Sequence, residues 1–308
     1  MYSRFTALQN HSEKDQEKLE NSTAAVVGLG ATGSAIAENL ARHGVNLILI
    51  DRDYLEVKDC YSSSLYTPEQ CRKSLPKAKA AEEKLGEFTD VESYVESLSA
   101  DNLDRLSDAD IVLDGTDNLE TRQLINDYSK KEGVPWIYTA AIAERAYSML
   151  FVQKCFSCMV QQPESVATCA TDGIMREVAQ KAAVSSSLKA VKILTGKDVG
   201  EKLEIVHSGR ELDVESSGCE VCEGEKFPHL SESREVVKVC GTGKFQLERD
   251  FSREQVEDLP GERLSGNDFL VRYRYEGCEV TFFDSGRVIV EAEDEGHAEA
   301  LVSEMLGI

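Results

Sequence analysis

The first half of the chain alternates short apolar runs with longer amphipathic stretches. Thr23–Val27 is an apolar run of strand length and reads as a buried strand. Ser34–His43 follows with helical character and is closed by Gly44. Val45–Ile50 is a second apolar run, and it leads into the acids Asp51 and Asp53. Residues 52–67 show no clear period and are expected to form a loop. From 68 to 86 the chain is helix-prone, broken at Pro76, where a new first turn can begin. Strands are expected over Asp90–Glu96, Asp110–Asp114 and Val134–Thr139, with a helix over Leu119–Lys131. Strands alternating with helices predict an α/β fold, a mostly parallel sheet with helices on both faces. Ligands of such sheets collect outside the carboxyl ends of the strands, where Gly28, Asp51, Asp53, Asp114 and Asp117 all fall.

Past Val152 the pattern changes. Cys155 and Cys158 form a CxxC, and residues 161–173 read as a loop carrying Cys169. Met175–Leu194 is helical and stops at Gly196. Leu203–Val214 reads as two short strands around Ser208-Gly209, followed by a second CxxC, Cys219 and Cys222. Beyond Pro228 short strands take over: Val236–Cys240 and Lys244–Glu248 about a glycine turn, then Phe269–Tyr275, Glu279–Phe283 and Arg287–Glu291. Asp294–Leu306 closes the chain as a helix. The expected division is residues 1–228 as a first domain and 229–308 as a small α+β domain, joined near the polar stretch Ser231–Glu235. Residues 1–22 read as a surface arm bearing Arg4, with a helix-prone stretch over Ser12–Leu19.

Composition narrows the chemistry. The 308 residues are 41% hydrophobic, enough for a full core. A net charge of -22 argues against a nucleic-acid backbone as the main partner. No apolar run has the length of a membrane helix and no signal peptide opens the chain, so no membrane and a cytoplasmic location are expected. Nine cysteines, an odd count, argue for metal or thiol chemistry over a disulfide framework.

Gly28, Gly30 and Gly33 sit between the first strand and its helix, with acids at the tip of the second strand, in a Rossmann-like arrangement. The first glycine permits the turn, the second lets a phosphate approach the backbone, and the third lets helix and strand pack. Two CxxC pairs predict a four-thiolate structural zinc site at Cys155, Cys158, Cys219 and Cys222. A dinucleotide fold first suggests a dehydrogenase, but none of the five histidines stands in a proton-relay context. Asp53, Asp114, Asp117, Lys77 and Arg4 suit a triphosphate with magnesium better, since carboxylates hold the hard cation and bases neutralise phosphate.

These residues resemble the ubiquitin-activating-type adenylyltransferases, the ThiF/MoeB/HesA family of sulfur-carrier-activating enzymes. The resemblance runs over residues 2–222 and rests on Tyr2-Ser-Arg4, the glycine turn, Asp51-Arg-Asp53 with Glu56, and Pro76-Lys77. It continues through Asp114-Gly-Thr-Asp117-Asn118 with Arg122, Thr168-Cys169-Ala170 and both CxxC pairs. The tail from Val236 to Gly307 is also similar to an extension carried by some members. The resemblance implies ATP-dependent adenylation of the C-terminal glycine carboxylate of a ubiquitin-like or sulfur-carrier protein, with pyrophosphate released. It implies ATP, Mg2+ and Zn2+ as cofactors, a homodimer, and a sulfurtransferase as a further partner. By position, Asp51 would bind ribose and Lys77 phosphates. Asp117 would hold magnesium, and Asn118 belongs to the same nucleotide motif. Arg4 would reach the γ-phosphate in the partner subunit, and Cys169 matches a thiol used for thioester, acyl-disulfide or persulfide steps. Two departures stand out. Asp59 and Ser62 replace an asparagine and an arginine of the family pattern, and Met175-Arg-Glu replaces a glycine-rich helix start. A relative that binds nucleotide and zinc without turnover, and a nicotinamide-dependent oxidoreductase, are the alternative readings.

Overall fold

The computed structural model describes residues 2–160, 173–215, 218–231, 236–239 and 243–308. Five parallel strands, β1 (Thr23–Val27), β2 (Asn46–Ile50), β3 (Val91–Tyr94), β4 (Ile111–Asp114) and β5 (Trp136–Ile142), lie in the order β3-β2-β1-β4-β5. Antiparallel β6 (Arg145–Phe151), β7 (Lys202–Ile205) and β8 (Arg210–Asp213) extend the sheet on one side. The reversal of strand order at β1 and β4 opens a crevice at the carboxyl edge, the usual ligand position in such a sheet.

Helices cover both faces. In chain order they are α1 (Ser3–Thr6), α2 (Glu13–Glu20), α3 (Gly33–Ala41), α4 (Asp59–Ser62), α5 (Pro68–Arg72), α6 (Lys77–Leu85), α7 (Leu119–Glu132), α8 (Phe156–Met159) and α9 (Arg176–Leu194). Because side chains along a strand alternate faces, Ala24 and Val26 of β1 join one core with Leu40 of α3, Ala81 of α6 and Ala190 of α9. Ala25 and Val27 join the other core with Leu124 and Tyr128 of α7 and Trp136. Every residue of β1 after Thr23 is therefore buried, which is why the run is apolar without alternating. The stretch 52–67, expected as a plain loop, contains α4. Its turn is set by the Glu56 N–H, which donates to Asp59 Oδ2 at 2.7 Å.

The second sheet is antiparallel. It comprises β9 (Val236–Val239), β10 (Lys244–Glu248), β11 (Glu262–Gly266), β12 (Leu270–Tyr275), β13 (Cys278–Phe283) and β14 (Arg287–Glu291), in the order β11-β12-β13-β14-β10-β9. A short helix, α10 (Arg253–Val256), follows β10, and α11 (Glu295–Leu306) closes the chain. Phe245, Leu247, Val288, Val290 and Phe282 pack with Leu301 and Val302 of α11. The opposite face turns to the first sheet: Leu270, Phe283 and Ile289 cluster with Tyr54. Polar contacts fasten the two units. Asn267 donates to the carbonyls of Lys73 and Ser74 at 3.0 and 2.9 Å, and Arg52 donates to Gln246 at 3.2 Å. Among the described residues no helix is long and apolar enough to cross a membrane.

Candidate functional site

The glycine turn is built as its residues require. Gly28 has φ +84, and a Cβ there would lie 2.9 Å from the Gly115 carbonyl and Thr116 nitrogen. A Cβ on Gly33 would fall 1.8 Å from the Gly28 carbonyl oxygen. A Cβ on Gly115 would fall 2.4 Å from the same oxygen. The turn after β1 and the turn after β4 thus interlock backbone against backbone. Gly30 differs: a Cβ there would meet nothing within 4 Å, and the residue faces an open cleft. Asp51 braces the turn from β2. Its Oδ2 accepts from the Leu29 N–H at 2.5 Å, and its Oδ1 accepts from the Asp53 N–H at 2.7 Å. Each oxygen keeps a lone pair for a ligand hydroxyl.

Next to this turn stands a knot of opposite charges. Lys77 opens α6 and places its Nζ 3.5 Å from Asp53 Oδ2 and 3.8 Å from Asp59 Oδ1. Burial works against the Lys77 charge, but Asp53, Asp51 and Asp59 outweigh it and raise its pKa. Burial likewise works to raise Asp53, and the Lys77, Arg52 and Arg287 cations overcome it and hold the carboxyl down to about 2. The Asp53 side chain keeps 41% of its surface open to the cleft while protein atoms enclose it on the remaining sides. Asp51 behaves oppositely. Its burial, aided by the Asp53 charge and opposed by Lys77, raises its pKa. Across the cleft, Arg122 donates to Asp114 Oδ2 at 2.8 Å and to the Thr116 carbonyl at 2.6 Å. Burial opposes its charge, and Asp114 restores it. This pair fixes the 115–118 turn, which ends where Asn118 Oδ1 accepts from the Thr121 N–H at 2.7 Å and caps α7.

One cleft of about 850 Å3 collects most of the expected residues: Gly28, Gly30, Asp51, Asp53, Lys77, Asp117 and Asn118. Asp117 presents an exposed carboxylate with no hydrogen bond or ion pair among the described residues. Asp114 and Gly33 lie behind the wall, the first fully buried under Arg122 and the second against Gly28. Arg4 is exposed on α1 and does not line the cleft of its own chain. Cys169 lies outside the described residues. Ser62 lines the cleft, as do Arg52 and Lys58, whereas Arg72 and Lys73 do not. Lys244 and Ile289 of the second sheet also reach the wall. Neither is marked in the sequence, because a strand in an appended unit carries no local sign of which neighbour it will face.

The four CxxC sulfurs converge away from the cleft. All lie within 4.8 Å of one another, with Cys155–Cys219 at 3.7 Å, Cys158–Cys222 at 3.5 Å and Cys219–Cys222 at 3.6 Å. A tetrahedron with Zn–S bonds of about 2.3 Å has edges of roughly 3.8 Å, so the spacing fits a four-thiolate metal site. Asn126 donates to Cys155 Sγ at 3.5 Å, and the Cys219 N–H donates to Cys222 Sγ at 3.3 Å, contacts that orient ligand thiolates.

Known proteins resemble this chain. The chain is 30% identical to the sulfur carrier protein ThiS adenylyltransferase of Bacillus subtilis (strain 168), over 99% of both chains. It is 30% identical to the protein of the same name from Escherichia coli (strain K12), over 72% of this chain and 94% of that one. In three dimensions it matches the crystal structure of E. coli MccB with MccA-N7isoASN at a TM-score of 0.59. That match is 18% identical and covers 68% of this chain and 69% of that chain, a likeness of fold. The profile of the ThiF family matches residues 2–226, which include the glycine turn, the Lys77 and Asp117 positions and all four clustered cysteines, and the chain belongs to the ThiF family.

Proposed function

We propose that this chain is an adenylyltransferase that activates the C-terminal carboxylate of a small ubiquitin-like sulfur carrier. The observation behind this reading is the cleft that the glycine turn, Lys77 and the unpaired Asp117 carboxylate line together. Near full-length similarity to a named ThiS adenylyltransferase supports it. A carrier carboxylate oxygen attacks the α-phosphorus of ATP, and the bond from that phosphorus to the bridging oxygen breaks, so pyrophosphate leaves with the electron pair. The attacking carboxylate is already ionised at neutral pH, so the protein's task is positioning and charge neutralisation. Gly30 and the N-terminus of α3 receive phosphate oxygens, Asp51 a ribose hydroxyl, and Lys77 the negative charge of the phosphates. Asp117 would hold magnesium, which would supply charge neutralisation at the phosphates.

Three finer assignments belong to the same reading. Zinc fills the four-cysteine cluster as a structural ion; a purified chain without zinc contradicts this. The chain acts as a homodimer, with a partner over the apolar groove between the N-terminal arm and α9, where Leu8, Val184 and Leu188 are exposed. A chain that sediments as a monomer contradicts that. The two domains meet near residue 228; Pro228–Leu230 still rests on the first, with His229 Nδ1 3.0 Å from Asp127. Proteolysis that cuts elsewhere first contradicts the boundary.

The reaction is tested by ATP–pyrophosphate exchange. Exchange is expected only with a carrier that keeps its C-terminal glycine. ATP binding without exchange supports the relative that has lost turnover, and NADH binding without ATP binding supports the oxidoreductase.

A further inference from the structure

We propose that Lys244 of the C-terminal sheet binds the phosphates of the nucleotide, which makes that sheet a working wall of the cleft. This rests on the nucleotide reading above and extends it to a unit outside the residues that match the family.

Strand geometry sets the face. Along β10, Phe245 and Leu247 point into the core beneath α11. Lys244, Gln246 and Glu248 therefore share the opposite face. On β14 the residues paired with them are Glu291, Ile289 and Arg287. This face is fixed against the tip of β2. The Arg52 Nη1 and the Ser97 hydroxyl both donate to Gln246 Oε1, at 3.2 and 3.3 Å. Arg287 is 2% exposed, and its Nη2 donates to the Arg52 carbonyl. Its Nε and Nη1 have no partner among the described residues, which marks a buried guanidinium kept beside the Asp51–Asp53 turn by charge. Two residues along from Gln246, Lys244 enters the cleft wall, and its charge reaches Glu56 on the same side as Lys77.

Among the cations on that wall, Lys244 is the one with no ion pair among the described residues. Lys77 serves Asp53 and Asp59, Arg122 serves Asp114, Arg52 lies 3.7 Å from Asp53, and Lys58 lies 3.1 Å from Glu56. The Lys244 backbone is paired in the sheet, while its side chain makes no ion pair or hydrogen bond among the described residues and acts on Glu56 only from beyond ion-pair distance. A polyphosphate brings several negative charges into a cleft already rich in carboxylates. A cation not already paired there is the one whose attraction is fully available to it.

The test is calorimetric titration of MgATP and, separately, adenosine into the full chain and its Lys244→Ala, Lys244→Gln and Lys244→Arg variants. Lys244→Gln keeps the side-chain stem, so it guards against loss of the strand. The expected result is ATP affinity reduced on the order of tenfold in both neutral variants, since a charge-assisted contact is lost. Adenosine affinity should hold, and Lys244→Arg should restore most of the ATP binding. Neutral variants that bind ATP as the parent does overturn the inference alone, as does an equal loss for ATP and adenosine. A parent chain that ignores ATP overturns the nucleotide reading and this inference with it.

Discussion

Gly30 and Gly33 stand three residues apart in one turn, yet a methyl group does different things at each. At Gly33 it would sit 1.8 Å from a backbone oxygen of an interlocked turn, where nothing can yield. Gly33→Ala should separate the turns after β1 and β4 and lower both the melting temperature and ATP binding. At Gly30 the methyl meets open space in the cleft. Gly30→Ala should melt as the parent does and bind ATP at least several-fold more weakly, a split that calorimetry and thermal melts resolve. Asp53 makes a second prediction. Its folded pKa of about 2 lies below the ordinary carboxylate value, so its stabilisation is present above about pH 4 and is lost as pH falls towards 2. Asp53→Asn should be less stable than the parent in urea at pH 7, and the gap should shrink from pH 4 downward. A gap that stays constant with pH contradicts the Lys77–Asp53 pairing. Residue by residue, the meeting of the glycine turn, Lys77 and Asp117 at one cleft was legible, because each follows a strand end or opens a helix beside the carboxyl edge of the sheet. The partner of Asp114 could be named only from the fold, since Arg122 reaches it from the next helix.

Helix α7 shows how an element places a functional turn. Asn118 caps it, with Oδ1 on the Thr121 N–H, and Gly133 closes it at φ +74 in the left-handed region. Asn118→Ala should cost about 1 kcal/mol of unfolding free energy, with Asn118→Asp close to the parent, because aspartate caps as well. Urea unfolding of the three chains checks this, and equal stability of the alanine variant contradicts it. The main strands and helices were readable because their burial follows from apolar runs and helical spacing. The exceptions have physical causes. Strand β11 reads Glu-Arg-Leu-Ser-Gly, mostly polar, and lies at a sheet edge where little of it is covered. Helix α4 forms in a stretch without period because Asp59 turns the chain by bonding the Glu56 N–H.

At the scale of the whole molecule, two sheets with separate cores share one cleft. The existence of both units was legible from the change of pattern near residue 228. Their packing was not, since it depends on contacts such as Gln246 with Arg52, made between positions 194 residues apart. The cysteine cluster was legible because CxxC spacing places two sulfurs together locally and only the meeting of the pairs needed the fold. The net charge of -22 is a property of the surface as a whole, while the cleft gathers Lys77, Arg122, Arg52 and Lys244 against it. Asp51, Asp53, Glu56, Asp59, Glu96 and Asp117 line the same cleft, so under the proposed reading an anionic nucleotide needs magnesium as well as these cations. The most direct test is the intact mass of a ThiS-type carrier after incubation with this chain and MgATP under conditions that trap the acyl-adenylate. A carrier heavier by one adenylyl group at its C-terminal glycine is expected, with the adduct absent when Asp117→Asn replaces the parent chain. A carrier of unchanged mass beside a chain that demonstrably holds ATP would contradict it.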